Sequence, residues 1–345
     1  MGSSLAADDT DFRIPLAPYY LDNGYWQEIL TRRLTLALLV IYSIVLALGI
    51  VGHGLVLFIL VFYMKKNTNT IWFLNLTAAN FVFTCSLPLR ITHNALKLHW
   101  PFGQALCKLN DSIAYINLYA SAYFLMVISI DRCVSTRSSA QAQNLRRNRI
   151  ACFVALGIWL LALLLSWPRI HFRLTEPSPI DEEVTICFLY YGRSFKQAKI
   201  NRHIIVISQY IFACLIPISV TIACHLKIAQ KQRLEAQQNK SFKVLIAVTA
   251  IFYFCWLPYH IFSFFNTHYL EMSKIVIVGV SLTTGLAFAS SCINPILYIA
   301  MGYDFKERPR PPFLSAFENA FGEESCCRVP ETQANPETEM NAQDV

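Results

Sequence analysis

Few residues of this chain could do chemistry, and the most conspicuous are the oppositely charged neighbours Asp131 and Arg132. They close a nearly uncharged stretch that begins at Cys107. As a helix that rises ~1.5 Å per residue, this stretch would be roughly 37 Å long. That length exceeds the ~30 Å hydrocarbon core of a bilayer. Because charges at a membrane edge are costly unless they are paired, we predict that Asp131 and Arg132 pair at one membrane face, at the end of a helix able to carry a signal across.

Catalytic chemistry is not indicated elsewhere in the sequence. No nucleophile lies at a suitable spacing from a base, and no His, Cys, Asp or Glu residues have metal-ligand spacing. We therefore expect no enzyme activity, no metal and no cofactor. A transporter or channel is also disfavoured, because the sequence has no evident inverted repeat and no intramembrane acidic cluster.

The composition is typical of a membrane protein. Of the 345 residues, 55% are hydrophobic and 15% are charged, whereas soluble domains contain about 25% charged residues. The net charge of +7 comes from Lys and Arg clustered at the ends of apolar runs. Such clustering reports membrane topology rather than nucleic-acid binding.

Seven apolar runs are each long enough to cross a bilayer. They span residues 34–63, 70–96, 105–135, 149–168, 203–227, 243–266 and 274–301. The connections after the first, third, fifth and seventh runs are basic and nearly free of acidic residues, so the positive-inside rule makes them cytoplasmic. The sequence therefore predicts an all-α membrane protein, a seven-transmembrane helix bundle with its N-terminus extracellular.

The predicted topology indicates on which side of the membrane each of the eleven cysteines lies. Most lie within apolar runs or on the cytoplasmic side, where thiols stay reduced. Only Cys107 and Cys187 fall at predicted outer ends, so we predict one disulfide that ties the long outer loop, residues 169–202, to the third helix. That loop carries four acidic residues, which indicate a ligand with a cationic segment: Glu176, Asp181, Glu182 and Glu183.

Four motifs occur along the chain in the same order as in a known family. They are the pair Cys107 and Cys187, Asp131-Arg132, Cys255-Trp256-Leu257-Pro258 and Asn294-Pro295-Ile296-Leu297-Tyr298. Together with the seven runs, they resemble the class A (rhodopsin-like) G-protein-coupled receptors over about residues 32–308. Asp131-Arg132-Cys133 and Trp100-Pro101-Phe102-Gly103 look like the chemoattractant branch, with formyl peptide, chemerin-like and complement anaphylatoxin receptors nearest.

The resemblance implies a multi-pass plasma-membrane receptor for an extracellular peptide or small-protein chemoattractant. It implies coupling to an inhibitory-type heterotrimeric G protein in chemotaxis and inflammation, with arrestin as a further partner. In such receptors the residue matching Arg132 contacts the G protein, that matching Trp256 pivots below the ligand pocket, and that matching Tyr298 supports the open state. The implied coupling and activation residues are Asp131, Arg132, Phe252, Trp256, Pro258, Asn294, Pro295 and Tyr298.

Matching runs also place the ligand contacts and a sodium site. The implied ligand pocket consists of Tyr115, Asn117, Gln209, Tyr259 and Phe288. Family members bind sodium through an Asp in the second helix, but this chain has Asn80 there, and Ser290 stands where an Asn is usual. We therefore expect a degenerate, neutral site formed by Asn80, Ser121, Ser290 and Asn294.

Other departures keep a second function open. His53 replaces the usual Asn of the first helix, and His225 replaces a Tyr that supports the active Arg in the family. Pro309, Pro311 and Pro312 would break the helix that usually follows the seventh span. The alternative to a signalling receptor is an atypical scavenger or non-signalling receptor of the same family.

The chain divides into three parts. Residues 1–31 are expected to form an extracellular tail, 32–308 the receptor domain and 309–345 a cytoplasmic tail. Cys326 and Cys327, in that last part, are candidates for palmitoylation.

Overall fold

The computed structural model describes residues 24–64, 66–136, 144–179, 181–234, 240–268 and 274–302. Within these ranges, seven helices are long and apolar enough to cross a membrane. They are α1 (Gly24–Phe62), α2 (Thr68–Ala95), α3 (Gly103–Ser135), α4 (Asn144–Phe172), α5 (Phe195–Leu234), α6 (Lys240–His268) and α7 (Lys274–Gly302). The predicted seven-transmembrane bundle is confirmed.

The helices extend beyond the apolar runs that predicted them. α5 begins at Phe195, where the Ser194 side chain accepts a hydrogen bond from the backbone N–H of Gln197. α1 begins at Gly24, ahead of the expected domain boundary at residue 32. Hydropathy marks only the part of a helix that lies in hydrocarbon, whereas backbone hydrogen bonding continues until a cap ends it.

The third helix lies at the centre of the bundle. In the most apolar 18-residue stretch of α3, 67% of the residues are buried, whereas 28% are buried in the corresponding stretch of α4. Leu118, Phe124 and Leu125 of α3 are completely buried, while Phe153 and Leu164 of α4 are among the most exposed apolar side chains. In a membrane protein such exposed apolar residues face lipid, so α4 is peripheral and α3 can contact several elements at once.

Prolines interrupt several helices at points of close packing. Pro258 lies inside α6 and Pro295 inside α7. A Cβ on Gly52 of α1 would lie 3.0 Å from the ring of Pro295, so glycine permits the close approach of these helices. In α5, residues Ile211–Leu215 form a π-helical turn just before Pro217. Proline cannot donate the usual backbone hydrogen bond, and the π turn accommodates that loss.

The outer loop folds as a hairpin of β1 (Arg173–Pro177) and β2 (Thr185–Leu189). The predicted disulfide between Cys107 and Cys187 is confirmed and ties β2 to α3. The Gln104 side chain also joins α3 to β1, because its amide donates to the Arg173 carbonyl and its Oε1 accepts from the Thr175 N–H. The hairpin, which the sequence did not predict, is therefore held over the outer end of α3.

Candidate functional site

A cavity of about 140 Å³ opens among α2, α3, α6 and α7, at the outer half of the bundle. Three of the predicted ligand contacts, Tyr115, Tyr259 and Phe288, line it. Its other lining residues are Arg90, Asp111, Ala114, Trp256, Val280, Thr284 and Ala287. The cavity is smaller than the ~300–1,000 Å³ of typical ligand sites, so it can receive one end of a long ligand rather than a whole peptide.

A buried ion-pair cluster forms one wall of the cavity. Oδ1 of Asp111 lies 2.8 Å from a terminal nitrogen of Arg173 and 3.4 Å from one of Arg90. The guanidinium of Arg90 also sits 5.0 Å from the ring centre of Phe288. A buried carboxylate without partners would be strongly destabilising, and here α2 and the hairpin each supply an arginine to it.

A third arginine lies behind the cavity wall. Arg169, near the outer end of α4, is 8% exposed. It donates to Oε1 of Gln209 at 3.0 Å, and its guanidinium carbon lies 4.2 Å from the ring centre of Tyr115. The predicted contact Gln209 thus bonds Arg169 behind Tyr115 and is not among the cavity-lining residues.

These four charged residues were not singled out from the sequence. Asp111 and Arg90 lie inside apolar runs, and ionisable residues in such runs mark functional sites by default. That signal was available but was outweighed by the low overall charge of the stretch. The acidic residues of the outer loop, in contrast, are exposed on the hairpin, at Glu176, Asp181, Glu182 and Glu183.

Contacting aromatic rings lead from the cavity toward the inner half of the bundle. The hydroxyls of Tyr115 and Tyr259 are 2.7 Å apart and join α3 to α6. Tyr259 packs edge-on against Trp256, with ring centres 5.8 Å apart, and Trp256 contacts Phe252 at 6.1 Å. Trp256 and Phe252 are both buried, on the inner side of Tyr259, and Pro258 interrupts the same helix. A shift at the cavity can therefore be passed along α6.

Amide and hydroxyl groups connect the helices near the middle of the bundle. The amide of Asn80 donates to the Leu76 carbonyl at 2.8 Å and lies 3.5 Å from Oγ of Ser121. Ser121 donates to Asn117 at 3.2 Å, and the Asn117 amide donates to Oγ of Ser291 at 3.3 Å. Asn117, expected in the ligand pocket, belongs instead to this neutral chain, because its side chain turns toward α7.

The other two residues of the expected sodium site lie on α7. Ser290 is buried and donates to the carbonyl of Ala287 in its own helix at 2.6 Å. Asn294 is 5% exposed. His53 of α1 is fully buried, with Nε2 at 2.5 Å from the Ser291 carbonyl, so the imidazole links α1 to the same part of α7.

At the inner end of α3, Asp131 and Arg132 are half-buried in its last turns. Their mutual pairing stays a prediction. One turn earlier, Oγ of Ser129 lies 3.1 Å from Nε2 of His225 on α5, and the His225 ring packs perpendicular to Phe242 of α6. Tyr298 of α7 is buried and contacts Phe73 of α2 edge-on, at 5.8 Å between ring centres.

Several expectations fall outside the described residues. They concern the palmitoylation candidates Cys326 and Cys327, the breaking of the last helix at Pro309, Pro311 and Pro312, and the two tails except for residues 24–31. The backbone of 24–31 belongs to α1.

Comparison with known proteins agrees with the fold and with the motifs. The family described as 7 transmembrane receptor (rhodopsin family) matches residues 52–298. Chemerin-like receptor 1 of Mus musculus is 37% identical over 305 residues, which cover 84% of this chain and 81% of the relative. The human chemerin-like receptor 1 is 35% identical over 344 residues, covering 92% and 91%. The C3a anaphylatoxin chemotactic receptor of Danio rerio is 35% identical over 294 residues, covering 83% and 78%.

The chain belongs to the rhodopsin family of seven-transmembrane receptors. Within that family it is a chemoattractant-type G-protein-coupled receptor, a multi-pass protein of the plasma membrane and not an enzyme.

Proposed function

We propose that this chain is a receptor for an extracellular peptide or small-protein chemoattractant and signals through an inhibitory-type G protein in chemotaxis and inflammation. The observation that carries the proposal is the continuous contact path from the outer cavity to the inner half of α6. It runs from Tyr115 through Tyr259 and Trp256 to Phe252. A ligand that moves Tyr115 or Tyr259 would thereby change the packing of α6. At the inner end of α6, Phe242 packs against His225, and His225 contacts Ser129, which lies about one turn before Arg132 in α3.

The shape of the outer face supports a ligand larger than the cavity. A volume of about 140 Å³ admits a terminal group, and the exposed acidic residues of the hairpin offer a second contact surface for the remainder. A peptide or small protein can use both surfaces at once, whereas a small molecule would use the cavity alone.

The test is nucleotide exchange in membranes that contain the full chain, with inhibitory-type and stimulatory-type Gα compared side by side. Chemerin and C3a, after which the relatives are named, are the first ligands to apply, followed by a peptide library. We expect exchange on the inhibitory type only. Ligand binding without nucleotide exchange on any Gα would contradict the proposal. Arrestin recruitment is measured in the cells from which these membranes are prepared.

Arg132→Ala provides the matched control for that assay. Because Arg132 lies at the inner end of α3, far from the outer cavity, the variant should bind ligand normally and lose nucleotide exchange. Exchange that persists at the unmutated level would mean that coupling does not run through Arg132.

A scavenger role is the second candidate, and His225 is the observation that favours it. Its imidazole bonds Ser129 and packs on Phe242, so it ties α5 to α3 and α6 at the inner face. Loss of this contact should leave the inner end of α6 freer to move relative to α3 and α5. His225→Tyr should then increase ligand-dependent exchange if signalling is intrinsically weak, and leave it unchanged if signalling is already complete.

A further inference from the structure

Two free thiols lie in contact across the inner ends of α3 and α5. Cys133 belongs to the last turn of α3, and Cys224 is the residue before His225 on α5. A side-chain hydrogen bond joins the two thiols, and both pack in a small apolar cluster with Ile228 and Phe242. Two nucleophilic groups on different helices therefore touch each other far from the outer disulfide.

Contacts on either side of the thiols hold the two helices together. One turn before Cys133, Oγ of Ser129 lies 3.1 Å from Nε2 of His225. One turn after Cys133, the ammonium group of Lys231 donates to the backbone carbonyl of Thr136. Because α3 and α5 are joined both before and after the thiols, helix packing keeps the two side chains close.

The two thiols are placed so that a covalent bond could join them. A disulfide needs its Cβ carbons about 3.5–4.5 Å apart, and side chains that share a hydrogen bond are already near this spacing. Cys133 is 9% exposed, whereas Cys224 is half-buried, so a small oxidant meets Cys224 first. The inner ends of these helices face the cytosol, where disulfides are reduced again, so the bond would be transient.

We propose that Cys133 and Cys224 form a site of reversible oxidation, at which a hydroperoxide converts the two thiols into a disulfide between α3 and α5. The sulfur of Cys224 attacks one oxygen of hydrogen peroxide, the O–O bond breaks, and a sulfenic acid and one water form. The sulfur of Cys133 then attacks the sulfenic sulfur, the S–S bond forms, and the hydroxyl leaves with the thiol proton as a second water. The two thiols lose two electrons, and one peroxide is reduced to two waters.

The disulfide would fix α3 to α5 at the residue next to Arg132. Phe242 of α6 packs in the same apolar cluster, so the inner ends of three helices meet where the new bond forms. A covalent bond between α3 and α5 restricts their relative movement. The expected consequence, which rests on the proposed function, is that the oxidised receptor loses ligand-dependent nucleotide exchange.

The first experiment locates the bond in the purified full chain in nanodiscs. The protein is treated with graded hydrogen peroxide, its remaining thiols are alkylated, and it is digested without reduction for mass spectrometry. We expect a linked peptide pair that joins Cys133 to Cys224, increases with peroxide and disappears after treatment with thioredoxin. Absence of this pair, whatever other oxidation is found, overturns the proposal. The mapping uses the unmutated chain, so it does not depend on the folding of a variant.

The second experiment uses Cys224→Ser, with Cys152→Ser as the matched control because Cys152 is an exposed free thiol on α4. Each receptor is oxidised, and catalase removes the peroxide before Gα is added. In the unmutated chain and in Cys152→Ser, ligand-dependent exchange should be lost in proportion to the linked fraction and recover with thioredoxin. In Cys224→Ser the same treatment should leave exchange unchanged, and Cys133→Ser takes its place if that variant does not fold. An equal loss in the serine variant and the control overturns the link between this disulfide and coupling.

The two readouts separate this inference from the proposed function. If ligands drive exchange in the reduced receptor but peroxide forms no linked pair, the oxidation site is wrong and the receptor proposal stands. If the linked pair forms as expected but no ligand drives exchange on any Gα, the oxidation site stands and the signalling proposal fails.

Discussion

The outer cavity and the middle of the bundle use buried polar groups in opposite ways. The outer region concentrates formal charge, with Asp111 held between Arg90 and Arg173 and with Arg169 close by. The middle region contains amides and hydroxyls joined in a chain that runs from Asn80 through Ser121 to Asn117 and carries no formal charge. From this difference we expect ligand binding to depend on charge, and we expect the neutral hydrogen bonds of the centre to respond little to ions.

The largest effect that would test this comparison is expected from Asp111→Asn. The substitution keeps the shape of the side chain but removes the buried charge that pairs with the half-buried Arg90 and Arg173, and breaking a buried pair costs about 3–5 kcal/mol. Thermal unfolding and surface expression should both fall sharply. Asp181→Asn is the control, because Asp181 is exposed on the hairpin. Equal stability of the two variants would mean that the outer charges are solvated and not structurally paired.

Cys107→Ser should have the next largest effect, because it releases the hairpin that covers the charged region. Loss of a native disulfide typically costs about 2–4 kcal/mol, and ligand binding should weaken with it. Gln104 would still hold β1, so the loss is expected to be partial. Quantitative surface labelling checks this, with Cys152→Ser as the control on an exposed free thiol. Normal surface expression and binding in Cys107→Ser would show that the side-chain contacts of Gln104 suffice.

Asn117→Ala should cost less than either change in the outer region. It removes one hydrogen bond to Ser121 and one to Ser291, and neutral hydrogen bonds contribute about 0.5–1.5 kcal/mol each. A fall in stability of about 1–3 kcal/mol in thermal unfolding would agree with a neutral middle region. A loss as large as that of Asp111→Asn would remove the contrast between the two regions.

The smallest effect is expected from sodium. The neutral oxygen of Asn80 attracts a cation far less than a carboxylate would, so agonist affinity should change less than about twofold when sodium is replaced by a bulky organic cation at constant ionic strength. Asn80→Asp should restore part of a sodium effect. A marked effect of sodium on agonist affinity in the unmutated receptor, absent in Ser121→Ala, would contradict this prediction. It would show that the site binds sodium without a carboxylate at position 80.

Local features of the sequence were sufficient to predict the class of fold. Hydropathy and flanking charge act on each segment separately, so the seven spans could be predicted one run at a time. All seven are confirmed, and the helices differ from the predicted runs only at their ends. The disulfide followed from the same topology, since Cys107 and Cys187 are the two cysteines at outer ends. Tyr115, Tyr259 and Phe288, which the family resemblance assigned to the ligand pocket, line one cavity in the structure, and their contact with a ligand stays a prediction.

Only the tertiary structure decided which polar side chains meet. Asp111 joins arginines from α2 and β1, Arg169 reaches Gln209 on α5, and Asn117 turns to Ser291 instead of the cavity. Membrane helices are apolar on nearly every face, so their sequences carry little information about rotation around the helix axis. That rotation is set by packing against neighbouring helices, and a change of one residue, or about 100°, decides whether a side chain faces the cavity, another helix or lipid.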